Sequence, residues 1–237
     1  MAERSSYKAA YEIAKPRPLA IAIIELPILY LKAIFRPSAR LFAEEGERAK
    51  WDIVVVQLFL LVFIPGVLGL IRGLNRASTI RATGGPSPLY NALASLAVGT
   101  SLVATLIQVL AVPILFFIGV TIQFLLARAF SGNGSYVSQA YATLLYQVPL
   151  TVVQSIITTV LVLMQTFGRI FISPIIGLAI IIYSIFINIA AIAGVHRLSH
   201  GRSTAVVIIP YVLAVLLTCG LTIYFARLII SAVHNIH

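Results

Sequence analysis

The chain has 237 residues, of which 60% are hydrophobic and only 10% are charged. Soluble domains carry about 25% charged residues, so this composition excludes a soluble globular domain and indicates a protein surrounded by lipid. The net charge of +10 does not indicate nucleic-acid binding, because the arginines are spread singly along the chain and do not line one face.

The charged residues are unevenly placed. All seven acidic residues and every lysine lie within the first 52 positions. From Ile53 onward the formal side-chain charges are arginines alone, at positions 72, 76, 81, 128, 169, 197, 202 and 227. We therefore divide the chain into a charged cytoplasmic and interfacial segment, residues 1–50, and a transmembrane domain, residues 51–237.

Residues 1–18 are polar and rich in proline at their end, which predicts a flexible start. The next segment, Leu19–Phe35, is apolar but contains Glu25, Pro27 and Lys32. Each charge would cost about 3 kcal/mol at the bilayer centre. We predict an amphipathic helix that lies at the membrane interface and bends or breaks near Pro27. Packing beneath the helical bundle is the alternative.

The stretch Arg36–Lys50 has mixed charges, including Glu44, Glu45, Glu47 and Arg48, and it predicts a short solvated helix. It is either a wet charged surface or a surface that binds a partner.

Five apolar segments then predict membrane-spanning helices, at residues 53–71, 102–126, 141–164, 174–195 and 205–230. Trp51 stands at the entry of the first span, as expected for an aromatic residue at the membrane boundary. The remaining stretches predict loops or turns, at residues 72–91, 131–135, 165–173 and 196–204.

The uncharged stretch 91–127 is ambiguous. As one helix it would be roughly 55 Å long, which exceeds a hydrocarbon core of about 30 Å. As two spans it is barely long enough. We predict one span at residues 102–126, kinked at Pro113 and preceded by an interfacial stretch.

These elements describe an all-α integral membrane protein, a bundle of five transmembrane helices preceded by the N-terminal segment. Basic residues concentrate on the cytoplasmic side of membranes. Five spans place the basic N-terminal segment on one side together with Arg128, Arg197 and Arg202. We therefore predict a cytoplasmic N-terminus and a C-terminus on the opposite side.

His196 and His200 have the i, i+4 spacing that can share a zinc ion on a helix. The position of the glutamate in a HExxH motif is occupied by Arg197, and no third ligand is near in sequence. We expect histidines at a membrane interface and neither a metal nor a cofactor.

Large amides recur at membrane depth, at Gln57, Gln108, Gln123, Gln147, Gln154 and Asn188. Such groups usually connect helices by hydrogen bonds. Tyr141, Tyr146 and Gln147 near Pro149 could form a polar pocket. No pair of carboxylates or nucleophile motif is present after Ile53, so we expect neither an enzyme nor a proton relay.

Three stretches resemble the YIP family, named for the Ypt/Rab-interacting protein domain. They are ARAFSGNGSYVSQAYATLLYQVP at 127–149, IAGVHRLSHGRSTA at 192–205, and FRP at 35–37 with the charged residues up to Trp51. The resemblance implies five spans with a cytosolic N-terminus. It also implies a link to vesicle trafficking and prenylated Rab GTPases, as in eukaryotic members. Their acidic Asp-Leu-Tyr-Gly-Pro-type motif has no counterpart here, which favours a prokaryotic relative in the cell membrane.

Two functions fit these features. The first is a non-enzymatic membrane adaptor or organiser that lies in the lipid bilayer and binds a protein on the cytoplasmic face, or a second copy of itself. Its predicted binding surface is formed by Glu44, Glu45, Glu47, Arg48, Arg128 and Arg197. The alternative is a transporter or channel subunit for a small solute.

The predicted orientation can be tested by cysteine labelling. An Asn235→Cys variant in a Cys219→Ala background should react with a membrane-impermeant maleimide from the outside only. Labelling from the cytoplasmic side would contradict the five-span topology with an internal N-terminus.

Overall fold

The computed structural model describes residues 18–85, 87–164 and 169–234, and over these residues the chain forms seven α-helices. They are α1 (Leu19–Phe35), α2 (Ala39–Gly46), α3 (Trp51–Gly84), α4 (Pro88–Ala129), α5 (Tyr136–Leu163), α6 (Arg169–His196) and α7 (His200–His234). The last five are long and apolar enough to cross a membrane. The prediction of an all-helical protein with five spans is confirmed.

Helix α1 runs through Pro27 without a break. It buries Leu26, Leu29 and Ala33 against α5 and α3, in the main hydrophobic core of the protein. Its other face leaves apolar side chains such as Ile24 exposed. The contacts thus match the alternative of packing against the bundle, while the exposed face is suited to lipid.

Helix α2 is less solvated than the sequence predicts. Ser38 caps its start, since the hydroxyl accepts a hydrogen bond from the Leu41 amide at 3.2 Å. Phe42 and Glu45 are buried, and α2 packs against α6 and α5. Only part of its surface is therefore free to meet a partner.

The loop predicted at residues 72–91 is wrong over most of its length. Helix α3 continues to Gly84, and α4 already begins at Pro88. The extension holds because Ala77 of α3 packs against Ala94 and Ala97 of α4, so that two backbones with small side chains lie close together.

Helix α4 is one continuous helix, so the stretch 91–127 forms one span. The interfacial stretch predicted before it is the beginning of this same helix. With 42 residues, α4 is about 63 Å long. Together α3 and α4 form an antiparallel hairpin that is longer than the bilayer core is thick.

The two ends of the bundle differ. At one end the turns 131–135 and 197–199 meet α2. Towards the other end, Arg72 of α3 donates hydrogen bonds to the carbonyl of Ser155 at 3.3 Å and the hydroxyl of Thr159 at 2.8 Å, both on α5. Arg128 and Arg197 thus share an end with α2, as the five-span interpretation requires.

Some predicted features fall on residues that the structure does not describe. Of the flexible start predicted at 1–18, positions 1–17 lie outside the described residues. Of the loop predicted at 165–173, positions 165–168 lie outside them. From Arg169 the chain is helical, so the fourth apolar helix includes residues before the predicted start of the span.

Gly194 tests the docking of α2. A Cβ atom at this position would lie 2.1 Å from the carbonyl oxygen of Ala39, which is backbone and cannot rotate away. We expect Gly194→Ala to destabilise the protein by at least about 2 kcal/mol, because α2 must move from α6. Thermal unfolding in detergent measures the loss, and faster trypsin cleavage after Arg40 reports undocking of α2.

The matched control is Gly99→Ala on α4, where an added Cβ meets nothing within 4 Å. This variant should unfold at the same or a slightly higher temperature, since alanine favours helix. Equal stability of the two variants would contradict the tight contact between α2 and α6.

Candidate functional site

Three segments that are distant in sequence meet at one end of the bundle. They are α2 with its flanks, residues 38–48, the α4–α5 turn, residues 131–135, and the α6–α7 turn, residues 197–199. We call this region the α2 junction. The amide of Asn133 donates a hydrogen bond to the carbonyl of His196 at 3.2 Å, which joins the two turns directly.

Both turns begin in the left-handed region of backbone conformation. Ser131 follows the end of α4 with φ 69°, and Arg197 follows α6 with φ 55°. A left-handed residue is a common way to end a helix, because it redirects the chain and lets terminal carbonyls find donors. The two helices therefore end sharply, and their turns fold back towards α2.

Glycine is required inside the first of these turns by close packing. An added Cβ on Gly134 would lie 2.6 Å from the carbonyl oxygen of Val195, and one on Gly132 would lie 2.8 Å from that of Ala127. These positions explain the Gly-Asn-Gly sequence and hold the α4–α5 turn against the end of α6.

Glu47 and Arg197 are brought together across the junction. Arg197 Nη2 donates to Glu47 Oε1 at 3.2 Å, and both side chains are more than half exposed. An exposed pair of this kind contributes under about 1 kcal/mol to stability. Its main effect is to place one charge of each sign at a defined position on the surface.

Glu44 lies apart from that pair and faces Arg40 within α2, where Nε donates to Oε1 at 2.7 Å. The hydrogen bond that Arg40 donates to Glu44, together with the negative charge of Glu44, raises the pKa of Arg40. Both groups are exposed, so the Arg40–Glu44 pair lies on the surface of α2.

Glu45 is buried. It accepts hydrogen bonds from Arg48 Nη1 at 3.3 Å and from the Tyr141 hydroxyl at 3.4 Å. Two of the six predicted surface residues thus form a partly buried pair that holds the end of α2 against α5. Their carboxylate and guanidinium groups therefore hold α2 in place and do not form part of the exposed charged surface.

Arg128 is exposed and lies beside the α4–α5 turn. Its guanidinium carbon is 5.2 Å from the centre of the Phe124 ring, and its Nη1 donates to the carbonyl of Gly132 at 3.4 Å. The ring and the carbonyl together fix the side chain at the rim of the junction.

A buried hydrogen-bond chain supports the junction from beneath. His196 Nε2 lies 2.8 Å from Gln139 Oε1, and Gln139 Nε2 donates to the carbonyl of Val120 at 3.1 Å. It connects α6, α5 and α4, and both side chains are about 1% exposed. His196 therefore lies inside the protein, whereas His200 is exposed at the start of α7.

Sequence reasoning missed this chain, since Gln139 was not among the amides predicted to join helices. The only available signal is its position four residues after the glycine-rich turn. The expectation that His196 and His200 bind no metal stays a prediction. Among the described residues, no group of three His, Cys, Asp or Glu side chains is arranged to hold a metal ion.

The junction contains a cavity of about 290 Å³. Glu47 and Arg197 stand at its wall with the polar side chains of Asn133, Ser135 and Ser138. Ser138 is held in place because its hydroxyl donates to the carbonyl of Gly46 at 2.7 Å. The cavity presents both charges and uncharged donors and acceptors.

A second cavity, of about 430 Å³, lies among α4, α5, α6 and α7. Tyr146 and Gln147 line it as the sequence predicts, whereas Tyr141 points elsewhere and bonds Glu45. Several amides contribute to its wall, namely Gln123, Gln147, Gln154 and Asn188. These amides line a cavity, whereas the sequence predicted that they would connect helices by hydrogen bonds.

The comparison with known families returned a match to the Yip1 domain over residues 31–222. The chain belongs to the Yip1 domain family. The match begins in α1 and ends in α7, so it includes α2, both turns of the junction, four candidate spans and most of the fifth. A comparison with curated proteins and with solved structures returned no match.

Membership confirms the resemblance noted in the sequence. This Yip1 domain protein is a multi-pass membrane protein of a family associated with membrane trafficking. The junction lies entirely within the Yip1 domain, so its geometry belongs to the domain and not to an added segment.

The buried chain and the surface pair should differ in their effect on stability. Gln139→Leu leaves His196 Nε2 and the Val120 carbonyl buried without their partner, which should cost about 1–3 kcal/mol. Arg197→Ala removes only an exposed pair and should cost under about 1 kcal/mol. Thermal unfolding of both variants in the same detergent measures the difference, and a reversed order would contradict the assigned roles.

Proposed function

We propose that this Yip1 domain protein is a non-enzymatic membrane adaptor or organiser whose α2 junction binds a partner. The observation that carries the proposal is the convergence of α2, the α4–α5 turn and the α6–α7 turn at one end of the bundle. Charged groups that are far apart in sequence become one surface there, as the pair between Glu47 and Arg197 illustrates.

The construction of the junction supports recognition. Close backbone contacts at Gly194 and Gly134 hold α2 and the first turn in fixed positions. A surface that is already ordered loses little conformational entropy on binding, and this favours affinity. Exposed groups of both signs, Glu44, Glu47 and Arg197, favour a partner that carries complementary charges.

We propose that the partner is a protein on the cytoplasmic side or a second copy of this chain. The basic residues near the spans support this orientation. The 290 Å³ cavity at the junction is small, so it suits one inserted side chain of a partner better than a whole ligand.

The chemistry of the junction supports a role without catalysis. Glu45 is buried against Arg48 and Tyr141, and Glu47 is paired with Arg197. From Ile53 onward the chain has no carboxylate side chain that could act as a general base or relay a proton. Arginines do not fill that role because they stay charged.

A channel or transporter for a small neutral solute is the second candidate. The observation that favours it is the 430 Å³ cavity with its amide side chains inside the membrane domain. The residues that line this cavity occupy middle turns of α4, α5 and α6, from Val112 to Gln123, Thr143 to Gln154 and Ile180 to Asn188. A cavity that is limited to these turns is more consistent with binding than with a continuous path across the membrane.

Charge reversal tests the adaptor proposal. We expect Glu44→Lys with Glu47→Lys to lower recovery of the partner about tenfold, because two exposed negative charges become positive. The full chain and the variant are crosslinked in native membranes, purified, and compared by quantitative mass spectrometry. Glu45 is left unchanged, because it is buried and its reversal would unfold α2.

The control is Arg76→Glu, an exposed charge reversal in the second half of α3, towards the opposite end of the bundle. A specific partner, or a crosslinked second copy, should be lost from the double variant and retained by the control. Equal recovery of the same proteins from all three forms would contradict binding at the α2 junction.

A further inference from the structure

The cavity among α4, α5, α6 and α7 has a defined depth. Asn188 lies eight residues before the end of α6 at His196, and Thr143 lies seven residues after the start of α5 at Tyr136. At 1.5 Å per residue these side chains are roughly 10–12 Å along the helices from the end that carries the α2 junction. The cavity thus begins within the membrane half nearest α2.

Two polar atoms in its wall are buried without a hydrogen-bond partner among the described residues. They are Asn188 Oδ1 and Thr143 Oγ1, on side chains that are 2% and 7% exposed. A buried oxygen without a donor costs about 1–3 kcal/mol, so native proteins rarely leave one unsatisfied. These two atoms, on different helices that line the same space, indicate a ligand that supplies hydrogen-bonding groups.

The wall also indicates the charge of that ligand. None of the described residues that line the cavity is charged, and its polar groups are amides and hydroxyls. A phosphate, carboxylate or ammonium group would lose its hydration here without gaining an opposite charge, which is strongly unfavourable. The ligand is therefore uncharged at the part that enters.

The route into the cavity faces lipid. Helices α4 and α6 both pack on α5 but hardly touch each other. Leu115 of α4 and Ile181 of α6 line the cavity and are 64% and 50% exposed. Their position in the middle of candidate spans makes this an apolar opening towards the bilayer, so the ligand carries an apolar part as well.

We propose that this cavity binds the head of a neutral, hydroxyl-bearing lipid of the diacylglycerol class. The lipid hydroxyl donates a hydrogen bond to Asn188 Oδ1, and Thr143 Oγ1 donates to an ester carbonyl. The acyl chains leave between Leu115 and Ile181 into the membrane. A volume of about 430 Å³ is within the range of small-molecule sites, and it suffices for a glycerol head but not for both chains.

Photolabelling of the purified full chain in nanodiscs tests the proposal. The probe is a diacylglycerol with a diazirine in one acyl chain, and the comparison is phosphatidylcholine with the same chains. We expect the neutral lipid to label peptides near Leu115 and Ile181 at least fivefold more strongly. Equal labelling by the two lipids would overturn the proposal, because the cavity should reject a phosphate.

One variant fills the site and a matched one does not. Gly119 lines the cavity, and an added Cβ there meets nothing within 4 Å, as is also true of Gly99 on the same helix. Gly119→Leu should abolish labelling by diacylglycerol, whereas Gly99→Leu should leave it unchanged. Labelling that survives Gly119→Leu would overturn the proposal, and so would equal loss in both variants.

A second pair tests the hydrogen bond. Asn188→Leu should lower labelling about fivefold, the effect of one lost hydrogen bond of roughly 1 kcal/mol. Gln57→Leu is the control, since Gln57 is a fully buried amide whose two polar atoms also lack a partner but which lies outside the cavity wall. Equal labelling of these two variants would contradict the role of Asn188. Thermal unfolding verifies that each is folded.

Competition with glycerol distinguishes a lipid from a small solute. Excess glycerol should leave diacylglycerol labelling unchanged, because the free polyol lacks the chains that anchor the lipid. Inhibition by glycerol would overturn the lipid proposal and assign the cavity to a neutral solute. Neither result depends on the α2 junction. The lipid proposal can therefore be overturned without affecting the proposal that the junction binds a partner, and the reverse also holds.

Discussion

The close approach of α2 to α6 determines how the rest of this molecule is arranged. Helix α2 can lie where it does only because Gly194 lacks a side chain and lets the backbone of Ala39 come within contact distance. That contact brings α2 and its glutamates onto the turns that follow α4 and α6. Without it, Glu47 and Arg197, which are 150 positions apart in the sequence, would not form their ion pair.

A second constraint is the cost of burying polar groups where little water is available. The protein meets this cost in part near α2, where hydrogen bonds join His196, Gln139 and Val120, although His196 Nδ1 has no partner among the described residues. Deeper in the bundle, Asn188 Oδ1 and Thr143 Oγ1 also have no partner among the described residues, and both side chains line one cavity. The shared cavity distinguishes Asn188 and Thr143 from the other unpartnered groups, because one ligand there could satisfy both atoms.

Much of the fold could be predicted because hydropathy and span length are local properties. The five apolar stretches and Trp51 at the first of them need no knowledge of tertiary contacts. The helical extension of α3 after Arg72 could not be predicted, since it depends on Ala77 meeting Ala94 of another helix. Helix propensity alone would be a weak guide to that outcome.

The candidate sites divide in the same way. Charge clustering before Asp52 predicted a surface that binds a partner, but burial of Glu45 depends on Tyr141, 96 positions away. His196 and Gln139 are 57 residues apart and follow no shared period. Tyr146 and Gln147 could be assigned to a pocket because they are polar residues near Pro149 in a span that is otherwise mostly apolar, whereas Asn188 reaches that pocket only through packing of α6.

The length of the α3–α4 hairpin has a consequence for communication across the protein. Helix α3 begins beside the α2 junction and ends roughly 50 Å away, whereas charges in physiological salt are screened beyond about 8 Å. The charges of the arginines towards the tip of the hairpin therefore have a negligible electrostatic effect at the junction. Coupling between the two ends therefore requires a displacement of the helix itself. Pro65 and Gly66, near its middle, are the position where the helix would bend.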